Sequence, residues 1–381
     1  MKEKLRLRWS WTRSVLRDLP KEDLEKLLKL PNVRESPFYT RLRGNKVQCT
    51  LCHRRCILDV GQVGTCGVRV NIDGKLYTVT YGLLTAVESR PMEIKPFFHY
   101  YPGSTALTIS TWGCTFPCAW CQNWHLSKYA FFDRGEYYTP DEIVTKMELE
   151  GDEGINVSFN EPTLLTEFCI DVFKKARSRA LHLSYNTNGY LTEETVKALH
   201  EAGMDGANVD IKGGKETYKT WLCADFDKYW STVTTMKKLG IHLELTYLVI
   251  PGVNDEDYPE IIEKILRDLG PETPLHVTRF HPDHVLLDAK PTPVEKLEEI
   301  VKYAKKQGLK YVYIGNVPGH PFEHTYCPEC GKVLIKRYGT HVIEIKLNFR
   351  DGKPICPECG TEIHIKGMPK RTGGHIAMMQ L

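Results

Sequence analysis

The sequence predicts an α/β protein built on a partial (β/α) barrel, with a small N-terminal Cys-rich β module before it and a C-terminal zinc ribbon after it. Three observations carry this expectation. From about residue 104 to 318, strand-like apolar runs alternate with amphipathic helical patterns, as βα repeats around a parallel sheet require. On either side of that stretch the repeat stops and short β-prone runs with Gly-marked turns take over. Eleven of the thirteen cysteines fall in short clusters, CTLCHRRC with Cys66, CTFPCAWC and two CPEC pairs. Thiols two or three residues apart converge more readily on one metal than on each other across a domain.

Residues 1–45 are rich in basic residues, and DLPKEDLEKLLKL has helical spacing behind Pro20 at a plausible first helical position. Residues 46–103 form the Cys-rich β module, with Asp73-Gly74 as a hairpin signal. In the barrel region, 104–318, the expected strands are TALTIST, GINVSFN, LHLSYNT, GANVDIK, HLELTYLVI, LHVTRF and YVYIGN. The expected helices are TPDEIVTKMELE, LTEFCIDVFKKARSRA, LTEETVKALHEAG, FDKYWSTVTTMKKLG, YPEIIEKILRDLG and TPVEKLEEIVKYAKKQG, several opening on Thr or Asp caps and closing on Gly. Residues 319–366 make a separate small module around the two CPEC knuckles, and the tail, 367–381, is expected to be poorly ordered.

The 381 residues are 41% hydrophobic and 26% charged with a net charge of +3, which argues against a disordered or fibrous chain and gives no sign of a polyanionic partner. Nucleic acid as a partner therefore stays open. No apolar run approaches the ~18 residues of a membrane span, and the charged N-terminal stretch lacks the apolar centre of a signal peptide. A soluble cytoplasmic protein without a membrane partner is expected. Cys169 and Cys223 stand alone and read as small apolar residues.

Cys114, Cys118 and Cys121 form CxxxCxxC directly after the first barrel strand, so their thiolates belong to a loop at the C-terminal edge of the sheet, where α/β folds gather function. A closed structural zinc site takes four ligands, whereas an iron–sulfur cluster on three cysteines leaves one iron open. The competing reading is a zinc site completed by a distant ligand such as His125. This spacing in a chain of βα repeats resembles the radical S-adenosylmethionine (SAM) superfamily. The resemblance implies a [4Fe–4S] cluster on the three cysteines, with SAM chelated at the open iron and cleaved to start hydrogen abstraction. It places Trp120 near the adenine, Glu161 of Asn160-Glu161-Pro162 on the methionine ammonium, and Asn186, Asn188, Asp210 and Lys212 as cofactor or substrate contacts. Ile250, in YLVIPGVND, would line the adenine pocket. On the residues alone, Glu161 is equally readable as a helix-start turn residue. His276, Arg279, His281 and His284 are expected to face the same mouth, although structural roles suit them as well.

Cys327, Cys330, Cys356 and Cys359 have the spacing of a four-thiolate zinc ribbon. Cys49, Cys52, Cys56 and Cys66 suffice for zinc or for a second iron–sulfur cluster, and the balance leans slightly to zinc. Together with YPGS, SFNEPTL, NTNGY, DIKG, RFHPDH and GNVPGH, these motifs resemble the AmmeMemoRadiSam-system radical SAM enzymes, a branch akin to pyruvate formate-lyase activating enzymes. That likeness implies Memo-type and AMMECR-type partners, an electron donor such as ferredoxin or flavodoxin, and a protein substrate. Radical modification of RNA or lipid, and a non-catalytic zinc-ribbon binding protein, are the alternatives.

Overall fold

The computed structural model describes residues 21–128 and 135–372, so the expectations for residues 1–20 and 373–381 lie outside the described residues. Eight strands form the main sheet: β1 (Ala86–Pro91), β2 (Thr105–Ser110), β3 (Gly154–Val157), β4 (His182–Thr187), β5 (Gly206–Ile211), β6 (His242–Val249), β7 (Leu275–Arg279) and β8 (Val312–Gly315). They are paired in chain order, all parallel except β1, which runs antiparallel to β2. The two edge strands, β1 and β8, are not paired with each other, so the barrel is open. All seven expected strands are present. The strand β1 precedes them, and its six-residue pairing with β2 makes the end of the N-terminal segment part of the barrel sheet.

Among the described residues, seven helices cover the outside: α1 (Pro140–Glu150), α2 (Thr166–Ala176), α3 (Glu193–Ala202), α4 (Lys215–Leu222), α5 (Phe226–Lys238), α6 (Tyr258–Asp268) and α7 (Val294–Gln307). Thr139 opens α1 with a capping box to Glu142, Thr192 and Asp225 cap α3 and α5, and Gly151, Gly203 and Gly308 follow α1, α3 and α7. The helix α4 escapes sequence reading because KETYKTWL is short and starts on Gly214 without a side-chain cap.

Alternation along the strands sorts side chains onto two faces. Leu107, Ile109, Ile155, Val157, Leu183, Val209, Leu245 and Val277 pack into one core with the helices. Thr108, Asn156, Ser184, Asn208, Glu244 and His276 lie on the other face, which gives the barrel a buried polar lining. Buried polar groups need partners, and residues 92–101 provide them from inside. The backbone N–H groups of Phe98 and His99 donate to the Glu244 carboxylate at 2.9 and 2.7 Å, and Asn208 Nδ2 donates to Pro96 O at 2.7 Å. Burial opposes charge on Glu244, but hydrogen bonds from His242 and His276 hold its carboxyl well below the usual range.

The C-terminal module closes this end. Arg337, from the strand Val333–Tyr338, lies 4.1 Å above the Phe98 ring, donates to Phe98 O at 2.9 Å and stands 3.7 Å from Glu93. Phe98, Tyr311 and Tyr313 share a core with Cys327, Leu334 and Cys356. The expectation of a separate module is corrected by that shared core: the knuckles are too small to bury their own apolar side chains and use the barrel's. The expected disorder from Gly367 onward is likewise corrected as far as Thr372. Lys370 N–H donates to Pro102 O at 2.9 Å, and Val342 N–H donates to Thr372 Oγ1 at 2.9 Å.

Two three-stranded sheets make the N-terminal module, Tyr39–Arg41 with Val47–Cys49 and Ile57–Leu58, and Arg34–Glu35 with Lys75–Thr78 and Arg69–Ile72. Asp73 and Gly74 both take positive φ, 50° and 80°, as the expected two-residue hairpin requires. The buried pair Arg69–Glu167, at 2.7 Å, fastens this module to α2.

Candidate active site

The loop after β2 carries Cys114, Cys118 and Cys121 along the C-terminal edge of the sheet, with Cys118 buried and the other two half-buried. Its backbone is held from several sides. Asn160, just beyond β3, accepts from Thr111 N–H at 3.3 Å and donates to Gly113 O at 3.2 Å. Asn123 Nδ2 donates to Phe159 O at 2.7 Å, and Phe159 sits at φ 68°, an uncommon conformation for a bulky residue. Asn188 Nδ2 reaches Thr115 Oγ1 at 2.9 Å and Cys114 Sγ at 3.7 Å. Cys121 Sγ and Ser127 Oγ are 3.0 Å apart.

The electrostatics favour anionic sulfur only with cationic help. Burial pushes the Cys114 thiol up to about 12, while Lys128 works in the other direction. Burial also raises Cys118, opposed by Lys212 and Lys128. Lys212 in turn pairs with Asp210 at 2.7 Å. Two lysines therefore flank three thiols whose ionisation requires positive charge. The donor set fits an iron–sulfur cluster. Among the described residues, only Cys327, Cys330, Cys356 and Cys359 bring three or more ligand atoms within 4.8 Å of one another, so the barrel triad is spread more widely than a single tetrahedral ion needs.

The family model described as the radical SAM superfamily matches residues 108–265, the span from β2 to α6 that builds this loop and its supports. The chain belongs to the radical SAM superfamily. An uncharacterized protein of Methanocaldococcus jannaschii is 42% identical over 337 residues, which is 87% of this chain and 99% of that protein. A second M. jannaschii protein, named as a glycyl-radical enzyme activating enzyme, is 26% identical over 57% of this chain and 89% of its own length. A domain of pyruvate-formate lyase-activating enzyme from Bacteroides vulgatus aligns with 42% of this chain and 98% of itself at 17% identity and TM-score 0.37. Radical SAM membership implies a [4Fe–4S] cluster and SAM as cofactors.

The remaining expected contacts separate into groups. Asn160, Asn188, Asp210 and Lys212 lie at the loop or beside it. Trp120 is buried, its Nε1 without a hydrogen-bond partner, and its ring meets Trp221 edge-on at 5.9 Å. Glu161 is turned inward: Oε1 accepts from Thr163 N–H at 3.1 Å, from the Thr163 hydroxyl and from the Thr187 hydroxyl at 2.7 Å, and Oε2 accepts from Asn188 N–H at 2.9 Å. It caps the turn Pro162–Leu165 and braces β4. Asn186 is engaged deeper in the barrel, accepting from Asn156 at 3.0 Å and donating to Lys95 O. Ile250 is fully buried in the core.

His276 does not face the mouth. It lies near the start of β7, bonded to Glu244 at 2.7 Å beneath the lumen. His284, in contrast, stacks on Trp124 with centroids 5.7 Å apart. Sequence reading missed Lys128, seven positions beyond Cys121 and outside the motif. It also missed Asn254, whose side chain donates to Lys212 O at 3.0 Å and Leu248 O at 2.8 Å and accepts from Ile250 N–H at 2.7 Å. The IPGVND motif contained that signal: an Asn five residues after a strand end is suited to capping its own turn.

Proposed function

We propose that this chain reductively cleaves SAM and uses the resulting radical to modify a protein substrate, within the AmmeMemoRadiSam branch. The observation that carries the reading is the triad of Cys114, Cys118 and Cys121 on one braced loop, flanked by Lys128 and Lys212. When bound, the cluster and SAM supply a 5′-deoxyadenosyl radical by one-electron reduction. The three thiolates would hold the cluster and, being only three, would leave it able to bind SAM. Lys128 and Lys212 offset the thiolates' negative charge, while Asn188 and Ser127 orient two of the sulfurs. Trp120 and Trp221 provide an apolar wall against water and stray hydrogen donors.

A protein substrate is favoured by the likeness to chains named as glycyl-radical enzyme activating enzymes. An electron donor such as ferredoxin or flavodoxin then serves the reduction, and Memo-type and AMMECR-type proteins are the candidate partners. Zinc in the Cys327/Cys330/Cys356/Cys359 quartet completes the assignment. Its sulfurs pair at 3.5 and 3.6 Å, close to the ~3.8 Å edge of a tetrahedron with Zn–S near 2.3 Å. Cytoplasmic residence belongs to the same proposal, and no helix among the described residues is long and apolar enough to cross a membrane.

The test is anaerobic. Reduced protein should convert SAM to methionine and 5′-deoxyadenosine, and Cys118→Ala should fall to background. Undiminished product from Cys118→Ala would remove the triad from the reaction.

A further inference from the structure

Cys49 at the end of the strand Val47–Cys49, Cys52 and Cys56 in the turn that follows it, and Cys66 just before the strand Arg69–Ile72 line one small cavity, together with Gly64, Thr65, Arg69 and Thr115. No three of these sulfurs lie within 4.8 Å of one another, whereas the C-terminal quartet in the same chain closes to zinc spacing. A tetrahedral zinc draws its thiolates to ~3.8 Å; a cubane sets a separate iron under each thiolate and holds them farther apart. The cavity wall supplies a second observation. Arg69 is 1% exposed, uses Nη2 for Glu167 and Leu164 O, and leaves Nε and Nη1 buried without a partner. Orphaned guanidinium donors beside four cysteines call for an anionic acceptor in this cavity, which the sulfurs of a cluster would supply.

We infer that Cys49, Cys52, Cys56 and Cys66 bind a second [4Fe–4S] cluster, with Arg69 donating to its sulfurs. Four protein thiolates leave no iron open, so this centre exchanges single electrons and binds no substrate. It adjoins the barrel site. Thr115 lines its cavity and is the chain neighbour of Cys114. Gly113, at φ 90°, lies so near the Cys66 carbonyl that a Cβ there would stand 2.6 Å from that oxygen.

The experiment is metal and sulfide analysis with Mössbauer spectroscopy on full-length protein, expressed in iron-rich medium and isolated anaerobically without reconstitution. The unmodified chain should hold about eight irons, about eight sulfides and about one zinc. The Cys114→Ala/Cys118→Ala/Cys121→Ala variant, which has no SAM cleavage to measure, should keep about four irons and four sulfides in a diamagnetic cluster. About four irons with two zincs in the unmodified chain, or a triple variant without sulfide, would overturn the inference. Should the triple variant fail to fold, the unmodified stoichiometry decides alone. None of these results depends on whether the barrel cluster cleaves SAM.

Discussion

Replacing Glu161 by Gln probes the brace behind the cysteine loop. The carboxylate accepts four hydrogen bonds from Thr163, Thr187 and Asn188 while almost wholly buried. An amide oxygen can keep the three bonds at Oε1, but the amide nitrogen then faces Asn188 N–H, a donor against a donor. The loss comprises one charge-assisted bond, about 1.5–3 kcal/mol, and a buried unsatisfied N–H, about 1–3 kcal/mol. Relief by side-chain movement sets the expected total near 3–4 kcal/mol. Anaerobic urea unfolding of the two proteins, matched for iron and zinc content, measures it. Because Asn188 also touches Cys114 Sγ and Thr115, SAM cleavage should fall alongside stability. A variant within about 0.5 kcal/mol of its parent would refute the bracing role. Full stability with weakened SAM binding would instead return Glu161 to direct contact with the methionine ammonium.

Arg337→Met strips Glu93 of its buried counter-charge and should cost about 3 kcal/mol at neutral pH, read from denaturant midpoints. Burial, only partly offset by Arg337, already raises the Glu93 carboxyl to about 7, so between about pH 4.5 and 7 the native state holds a proton that the unfolded state has lost, and removing Arg337 carries that window to higher pH. Above pH 7 the variant should therefore lose about a further 1.4 kcal/mol per pH unit relative to the parent; a pH-independent gap would exclude this coupling. His99→Gln tests the opposite sign. Burial depresses His99 to about 3, so the unfolded chain protonates first below about 6.5 and the parent loses about 1.4 kcal/mol per pH unit on acidification through that histidine. The parent-minus-variant difference should shrink by that slope between pH 6 and 4, and a flat difference would place His99 outside the titration. Cys327→Ser should lower the unfolding midpoint of the barrel as well as that of the knuckles, in one transition, because Phe98, Tyr311 and Tyr313 share their core. Two separated transitions with an unshifted barrel would contradict the shared core.

The sequence by itself determined the βα repeat and the position of the cysteine loop. Period-two runs such as TALTIST and period-3.6 runs such as VEKLEEIVKYAKKQ are local patterns, and Thr139, Thr192 and Asp225 mark helix starts within a few residues of what they cap. The CxxxCxxC spacing is equally local, since one loop must deliver all three thiolates. What the tertiary structure decided is long-range. Glu244 meets Phe98 and His99 across some 145 positions, and Arg337 meets Phe98 across 239. The direction in which Glu161 turns depends on Thr187 and Asn188 of another strand, and the spread of the N-terminal thiols depends on how two hairpins dock against α2. A buried charge is stabilised by whichever donors the fold brings to it, and no periodicity along the chain records which those are.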